Sequence, residues 1–182
     1  MTFPLVTNHI ELRKAKYSDP VLASAARYQV APSLIFAIIE VESSFNPFAI
    51  SAASAYGLIK VIPSTAGKDV YSRVKGLKGH PSPDVLFDVE ANIDIGAAYL
   101  HLLEDVYLNS VADPQSREYA TISAYNGGAG NVFITFGSNR EKAIAIMNAQ
   151  SPSAVYERLV NEHPREETQR YLRKVLAFQK NY

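Results

Sequence analysis

Two carboxylates, Glu40 and Glu42, stand two residues apart in the otherwise apolar segment IIEVESSFNPFA, residues 38–49. A carboxylic acid that stays protonated near neutral pH can act as a general acid and give a proton to a leaving oxygen. Burial beside apolar side chains raises a carboxyl pKa in this direction. The carboxylate that faces apolar neighbours is therefore the candidate for proton transfer.

Helical spacing places the two carboxylates on different faces of the helix. Three isoleucines precede Glu42 at intervals of three, four and seven residues, which places them on its face of a helix: Ile39, Ile38 and Ile35. Glu40 points about 200° away from Glu42, at about 100° per residue, and so toward the wetter side. We expect a raised pKa for Glu42. The face argument alone leaves a second interpretation open, in which Glu42 only marks the solvated end of a core helix.

The elements that must position these groups are predicted to be helices almost throughout. Pro32 and Ser33 open the helix that carries Glu42. Asp88 caps a second long helix, in which four apolar residues recur at helical spacing: Ile93, Ala97, Leu100 and Leu103. Residues 116–128 form a helix that Gly127 and Gly128 stop.

Further helices follow toward the C-terminus. Ser138 and Glu141 have the spacing of a capping box. Ser151 and Pro152 open the next helix, which ends at residues 163–164, and a last helix covers 165–181. Residues 56–63 are the one plausible short strand, and the polar stretch 72–84 is predicted to be an exposed loop.

Composition limits the class of protein. The 182 residues are 47% hydrophobic, and 18 basic side chains balance 18 acidic ones. This indicates one domain over 1–182, with a core at about 20–182 after an N-terminal extension of residues 1–19. Zero net charge argues against nucleic-acid binding. Cysteine is absent, and none of the four histidines has a paired ligand spacing, so we expect neither metal nor cofactor.

Four sequence elements occur in an order typical of one enzyme family. Glu42-Ser43 is followed by Phe45-Asn46-Pro47, then by residues 57–60 (GLIK), residues 124–128 (AYNGG), and Glu167-Thr168 with Tyr171. In this order the elements resemble the signature of the lytic transglycosylases of the goose-lysozyme-like superfamily. The resemblance implies an all-α, lysozyme-like fold with a groove for glycan strands.

The resemblance also implies that Glu42 is the single catalytic acid and base. Glu42 would protonate the oxygen of the β-1,4 bond between N-acetylmuramic acid and N-acetylglucosamine in peptidoglycan. The muramic acid 6-hydroxyl would then attack the anomeric carbon, with Glu42 as the base, to give a 1,6-anhydro ring. A second carboxylate about 5 to 9.5 Å away would indicate a different mechanism. The candidates for it, Asp84, Asp88 and Glu90, suit loop or capping positions equally well.

The other motif residues receive substrate-binding roles from the resemblance. Ser43 would hold the N-acetyl region or the adjacent loop, and Tyr125 and Asn126 would contact a sugar. Tyr171 would donate a hydrogen bond to the catalytic carboxylate. Each has an ordinary alternative: Ser43 can cap its helix, and Tyr125 can be a core aromatic. Two further candidates also have such alternatives. Glu167 can be a charge in the first turn of its helix, and Gly57 can be a residue that adopts a positive φ.

Lys60 departs from the family pattern, which has glutamine there. Lysine offers donors only, whereas glutamine offers a donor and an acceptor. We therefore keep three hypotheses: a lytic transglycosylase of the bacterial periplasm or envelope, a goose-type lysozyme that hydrolyses the same bond, and a non-catalytic peptidoglycan-binding scaffold. In each, the expected partner is the peptidoglycan strand, beside possible cell-wall machinery, and the chain is a monomer.

Overall fold

A computed structural model describes residues 5–182, with side chains from residue 11 onward. The described part is helical and contains no β-strand. It forms two compact units, the described residues up to 98 together with 181–182, and residues 99–180. The all-α fold expected from the sequence is confirmed. No helix in the described part is both long and apolar enough to cross a membrane.

The first unit contains helices α1 (Leu5–Tyr28), α2 (Pro32–Ser43), α3 (Lys68–Val70), α4 (Pro83–Phe87) and most of α5 (Val89–Leu102). Wider π-type turns, Pro63–Gly67 and Tyr71–Lys75, flank α3. Pro32 opens α2 as predicted, and Asp88 caps α5 through a bond from the Ala91 N–H to its Oδ1. The predicted isoleucine face of α2 is fully buried.

Helix α1 continues without a break through residues 19 and 20, where the sequence suggested the start of the core. Tyr17, within the predicted extension, is buried and stacks on Phe45 with ring centroids 6.1 Å apart. Tyr17 of the predicted extension therefore contributes to the packing of the first unit. Residues 1–4 of the extension lie outside the described part.

The second unit contains the end of α5, a π-type turn at Leu103–Tyr107, and helices α6 (Pro114–Gly127), α7 (Ala129–Phe136), α8 (Arg140–Asn148), α9 (Pro152–Glu162) and α10 (Glu166–Gln179). Helix α6 packs on α7, α9 and α10. Ser151 caps α9, and α9 ends before His163, as predicted. The four apolar residues chosen on α5 and the turn after it are buried.

Three local predictions were wrong. Asn139, and not Ser138, caps α8, because its side chain accepts from the Lys142 N–H at 2.9 Å. Residues 56–63 form no strand, since Gly57 and Lys60 have positive φ and only isolated bridges at Tyr56 remain. The stretch 72–84 is not wholly a loop, because residues 71–75 belong to a helical turn and α4 begins at Pro83.

Candidate active site

Glu42 lies at the end of α2, one residue before the helix stops. Ser44 and Phe45 adopt the left-handed conformation, with φ of 50° and 64°, so the chain cannot continue as a helix. The Phe45 side chain is buried against Tyr17, which fixes the turn. Asn46 continues the turn, because its Oδ1 accepts a 3.0 Å hydrogen bond from the Phe48 N–H. The Phe45-Asn46-Pro47 element thus builds the turn that ends the Glu42 helix.

The Glu42 side chain is 14% exposed, so the carboxyl group is largely withdrawn from water. The three isoleucines on its face are fully buried, in agreement with the spacing argument. Glu40 is half-buried and has a different environment, in which its Oε2 accepts a 2.7 Å hydrogen bond from the Tyr182 hydroxyl. Burial, followed by this bond, raises the pKa of Tyr182. The structure therefore gives the two carboxylates different neighbours.

Lys60 lies beside Glu42. Its Nζ is 4.0 Å from Glu42 Oε2, and its side chain is 26% exposed. The ammonium group is thus directed toward the carboxylate. A cation at this distance stabilises the ionised carboxylate, and partial exposure weakens the interaction.

Asn92 of α5 holds the loop that carries Lys60. The Asn92 side chain is buried, and its Oδ1 accepts from the Ile59 N–H at 3.0 Å. Its Nδ2 donates to the Tyr56 carbonyl at 2.8 Å and to the Leu86 carbonyl at 2.9 Å. The sequence analysis missed this residue. The only available signal was a polar amide within an apolar helical stretch.

Gly57 has the positive φ that the sequence suggested, at 81°. A Cβ atom on Gly57 would lie 2.3 Å from Asn92 Nδ2 and 2.4 Å from the Leu86 carbonyl oxygen. The glycine is therefore required for close approach of two parts of the protein. Its predicted contact with sugar stays a prediction.

Ser43 uses its hydroxyl within its own helix. The Oγ donates to the Ile39 carbonyl at 3.1 Å. This is a local helix bond, similar to the capping alternative weighed from sequence. A hydroxyl oxygen with a donated proton still has acceptor lone pairs, so a substrate donor can be accommodated.

The AYNGG element lies in the second unit at the end of α6. Tyr125 is half-buried, and its ring centroid is 5.6 Å from that of Tyr99. The Asn126 Oδ1 accepts a 2.7 Å hydrogen bond from the hydroxyl of Thr168, a fully buried residue of α10. This bond uses one acceptor site of the amide oxygen and fixes the side of the amide on which the Nδ2 group lies. Thr168 therefore orients Asn126, a role that the sequence did not reveal.

The two glycines of this element have different functions. Gly127 is the last residue of α6, where a Cβ atom would lie 2.7 Å from Thr168 Oγ1 and 2.8 Å from His163 Cε1. It permits the end of α6 to approach the start of α10. Gly128 has a φ of 85°, which ends the helix as predicted.

The remaining predicted residues lie on α10. Glu167 is in the first turn, 66% exposed, and its carboxylate lies 3.5 Å from Arg165. This geometry matches the alternative of a first-turn charge. Tyr171 is buried. The bond from the Tyr171 hydroxyl to the catalytic carboxylate stays a prediction.

The candidates for a second carboxylate occupy ordinary helix-start positions. Asp88 caps α5, and Asp84 and Glu90 lie in the first turns of α4 and α5. All three are exposed. Within the described part of the chain, no group of three or more acidic or histidine side chains could hold a metal ion.

The helical fold defines the class of protein, because it matches the all-helical, lysozyme-like fold of lytic transglycosylases. The chain aligns over 90% of its length with an inactive mutant of lytic transglycosylase Slt from Pseudomonas aeruginosa, at a TM-score of 0.67 and 26% identity. It aligns equally with the 70 kDa soluble lytic transglycosylase from Escherichia coli, at a TM-score of 0.66 and 25% identity. In each case it covers 23% of the other chain.

The profile of the family described as Transglycosylase SLT domain matches residues 19–148, and the chain belongs to this family. It is 50% identical over all 182 residues to proteins named membrane-bound lytic murein transglycosylase C from Yersinia pestis and Yersinia pseudotuberculosis. The chain spans 51% of the length of these relatives. The resemblance inferred from the four motifs is therefore confirmed.

Proposed function

We propose that the chain is the catalytic part of a peptidoglycan lytic transglycosylase. It would cleave the β-1,4 bond between N-acetylmuramic acid and N-acetylglucosamine and form 1,6-anhydromuramic acid. The observation that carries this proposal is the largely buried Glu42 carboxyl group, 14% exposed, at the helix end that matches the family motif. The full-length identity to proteins named lytic murein transglycosylase supports the same activity.

One carboxylate is sufficient for this chemistry. Glu42 in its acid form gives a proton to the bridging oxygen, and the C–O bond to the anomeric carbon breaks. The resulting carboxylate then takes the proton of the muramic acid 6-hydroxyl as that oxygen bonds to the same carbon. The proton balance is closed within the two steps, and no water is consumed.

The neighbours of Glu42 bear on both proton-transfer steps. The buried isoleucine face disfavours the ionised form and so favours the initial acid. Lys60, at 4.0 Å, stabilises the carboxylate that acts as base in the second step. On this proposal Ser43, Gly57 and Lys60 in the first unit and Tyr125, Asn126, Glu167 and Tyr171 in the second contribute to holding the glycan.

The envelope is the compartment in which this substrate occurs. The names of the relatives describe them as membrane-bound. We therefore propose that the protein works on the cell wall in the periplasm or at a membrane surface, as a monomer and without a metal ion or cofactor.

The mass of the digestion products tests the proposal. Purified peptidoglycan is incubated with the chain in water enriched in ¹⁸O, and the released fragments are weighed. Transglycosylation gives 1,6-anhydromuramoyl ends without ¹⁸O, each one water lighter than a reducing end. Reducing muramic acid ends that carry ¹⁸O would establish the goose-type hydrolysis. Binding without any release would establish the scaffold.

A further inference from the structure

A cavity of about 520 Å³ lies within the second unit, between α6, α9 and α10. Its volume is in the range of sites that bind small molecules, about 300–1,000 Å³. None of the motif residues discussed above lines it. Seven of its lining residues are polar or aromatic: Gln115, Glu118, Tyr119, Tyr156, Arg173, Gln179 and Lys180.

Two tyrosines from different helices line the cavity. Tyr119 of α6 and Tyr156 of α9 have ring centroids 5.5 Å apart, with planes tilted by 58°. Both are half-buried. The two non-parallel rings therefore present apolar surface and a hydroxyl group in the same space. A pyranose ring offers the matching surfaces, an apolar face of C–H groups and a rim of hydroxyls.

The polar side chains of the cavity are held in place. Gln179 Nε2 donates to Glu118 Oε1 at 2.7 Å, and Arg173 Nη2 donates to the Val160 carbonyl at 2.8 Å. A carboxylate has further acceptor sites, and a guanidinium has five N–H donors, so both retain capacity for a ligand. Donors and acceptors that are fixed beside aromatic rings suit hydroxyl and N-acetyl groups.

We propose that this cavity is a second glycan-binding site, which packs an N-acetylated pyranose unit against Tyr119 and Tyr156 and takes no part in bond cleavage. The choice of a glycan rests on the proposed function, because the chain would act on a polymer of N-acetylated sugars. Such a site would hold an insoluble strand while the reaction proceeds on another part of it.

Binding of tri-N-acetylchitotriose to the full chain tests the proposal. The chain carries Glu42→Gln to prevent turnover, and backbone amides are followed by nuclear magnetic resonance. We expect saturable shifts at the amides of residues 115–119, 156 and 173–179. Replacement of Tyr119 or Tyr156 by leucine should weaken this binding about tenfold, whereas phenylalanine should keep it within about twofold.

The phenylalanine variants make the test independent of folding, since each keeps an aromatic ring in the same place. Absence of shifts at this cavity, or equal affinity in the leucine and phenylalanine variants, would overturn the second site. The product analysis above is a separate measurement. If the wild-type chain released no anhydro products, the proposed function would fall, and the titration would still decide whether the cavity binds an N-acetylated sugar.

Discussion

The Lys60 ammonium lies 4.0 Å from the Glu42 carboxylate, measured from Nζ to Oε2. The family pattern has a glutamine at this position. A neutral amide there would remove this cation from beside the carboxyl group, so this single residue changes the electrostatics of the proposed acid.

The first prediction concerns the pH dependence of turnover. In the proposed mechanism the reaction starts with protonated Glu42. The Lys60 cation favours the ionised form, so activity should begin to fall at a lower pH than it would without the cation. Lys60→Gln should move the alkaline limb upward by about one pH unit and raise turnover near neutrality. Turnover on purified peptidoglycan is measured across pH at two salt concentrations, because salt screens this partly exposed pair.

Lys78→Gln is the matched control, since Lys78 is exposed and the substitution removes the same charge. It should leave the profile in place. Superimposable profiles for wild type and Lys60→Gln at low salt would show that the ammonium has no electrostatic effect on the reaction.

The second prediction concerns the loop that carries Lys60. Asn92→Leu keeps much of the side-chain volume but removes three hydrogen bonds, one from the Ile59 N–H and two to the carbonyl groups of Tyr56 and Leu86. We expect the free energy of unfolding to fall by about 2–4 kcal/mol, since each lost hydrogen bond costs about 0.5–1.5 kcal/mol. Urea unfolding measures the loss.

Asn161→Leu serves as its control, because Asn161 is exposed and its hydrogen bonds, to Glu157 of its own helix and from Arg173 of α10, lie at the surface. Its effect should stay within about 0.5 kcal/mol. Equal losses in the two variants would contradict the role of Asn92 as the residue that holds the loop.

The third prediction concerns Gly57. An alanine there would need both a positive φ and space that Asn92 and Leu86 already fill. Gly57→Ala should therefore lower the melting temperature and reduce turnover, with strain of about 1–3 kcal/mol from the backbone alone. Gly76→Ala has a similar φ of 64° but open space around the added Cβ, so the difference between the two variants isolates the packing clash. Melting temperatures that fall equally would show that the contact with Asn92 is unimportant.

The fourth prediction concerns the acid stability of the second unit. Burial lowers the pKa of His163 from its usual 6.5. The unfolded chain then binds this proton more readily than the folded chain. The contribution of neutral His163 to the free energy of unfolding is therefore complete above about pH 6.5 and is lost as the pH falls below that value. His163→Asn keeps an acceptor for the Arg165 N–H and removes the titration. Between pH 7 and 5, the free energy of unfolding of the variant should decrease less steeply with falling pH than that of the wild type. An unchanged slope would assign the acid sensitivity to other groups.

The sequence predicted the helices well because apolar spacing and caps are local signals. The isoleucine face of α2, the Asp88 cap and the glycine stop after α6 were all visible in this way. Ser138 failed as a cap because Asn139 beside it competes for the same helix start. The residues 56–63 failed as a strand because positive φ at Gly57 and Lys60 overrides their β-branched neighbours.

The site was predictable only where chemistry and motif coincide. Glu42 combines an apolar face with a family element, so both arguments select it. Asn92 and Thr168 act through contacts with residues 33 and 42 positions away, which no local pattern reports. The proximity of Lys60 to Glu42 was open for the same reason, since it depends on how the loop returns to α2.

The central claim is that Glu42 alone carries both proton transfers, and the paired substitutions Glu42→Gln and Glu40→Gln test it most directly. Glutamine is nearly isosteric, and at residue 40 its carbonyl can still accept from the Tyr182 hydroxyl, so both variants should fold. Turnover on purified peptidoglycan is measured for each variant, with helical content checked by circular dichroism. Glu42→Gln should lose at least about 10²- to 10⁴-fold in turnover, the typical contribution of one general acid, while Glu40→Gln stays within about twofold of wild type. Retained turnover in a folded Glu42→Gln chain, or its loss in Glu40→Gln instead, would contradict the account.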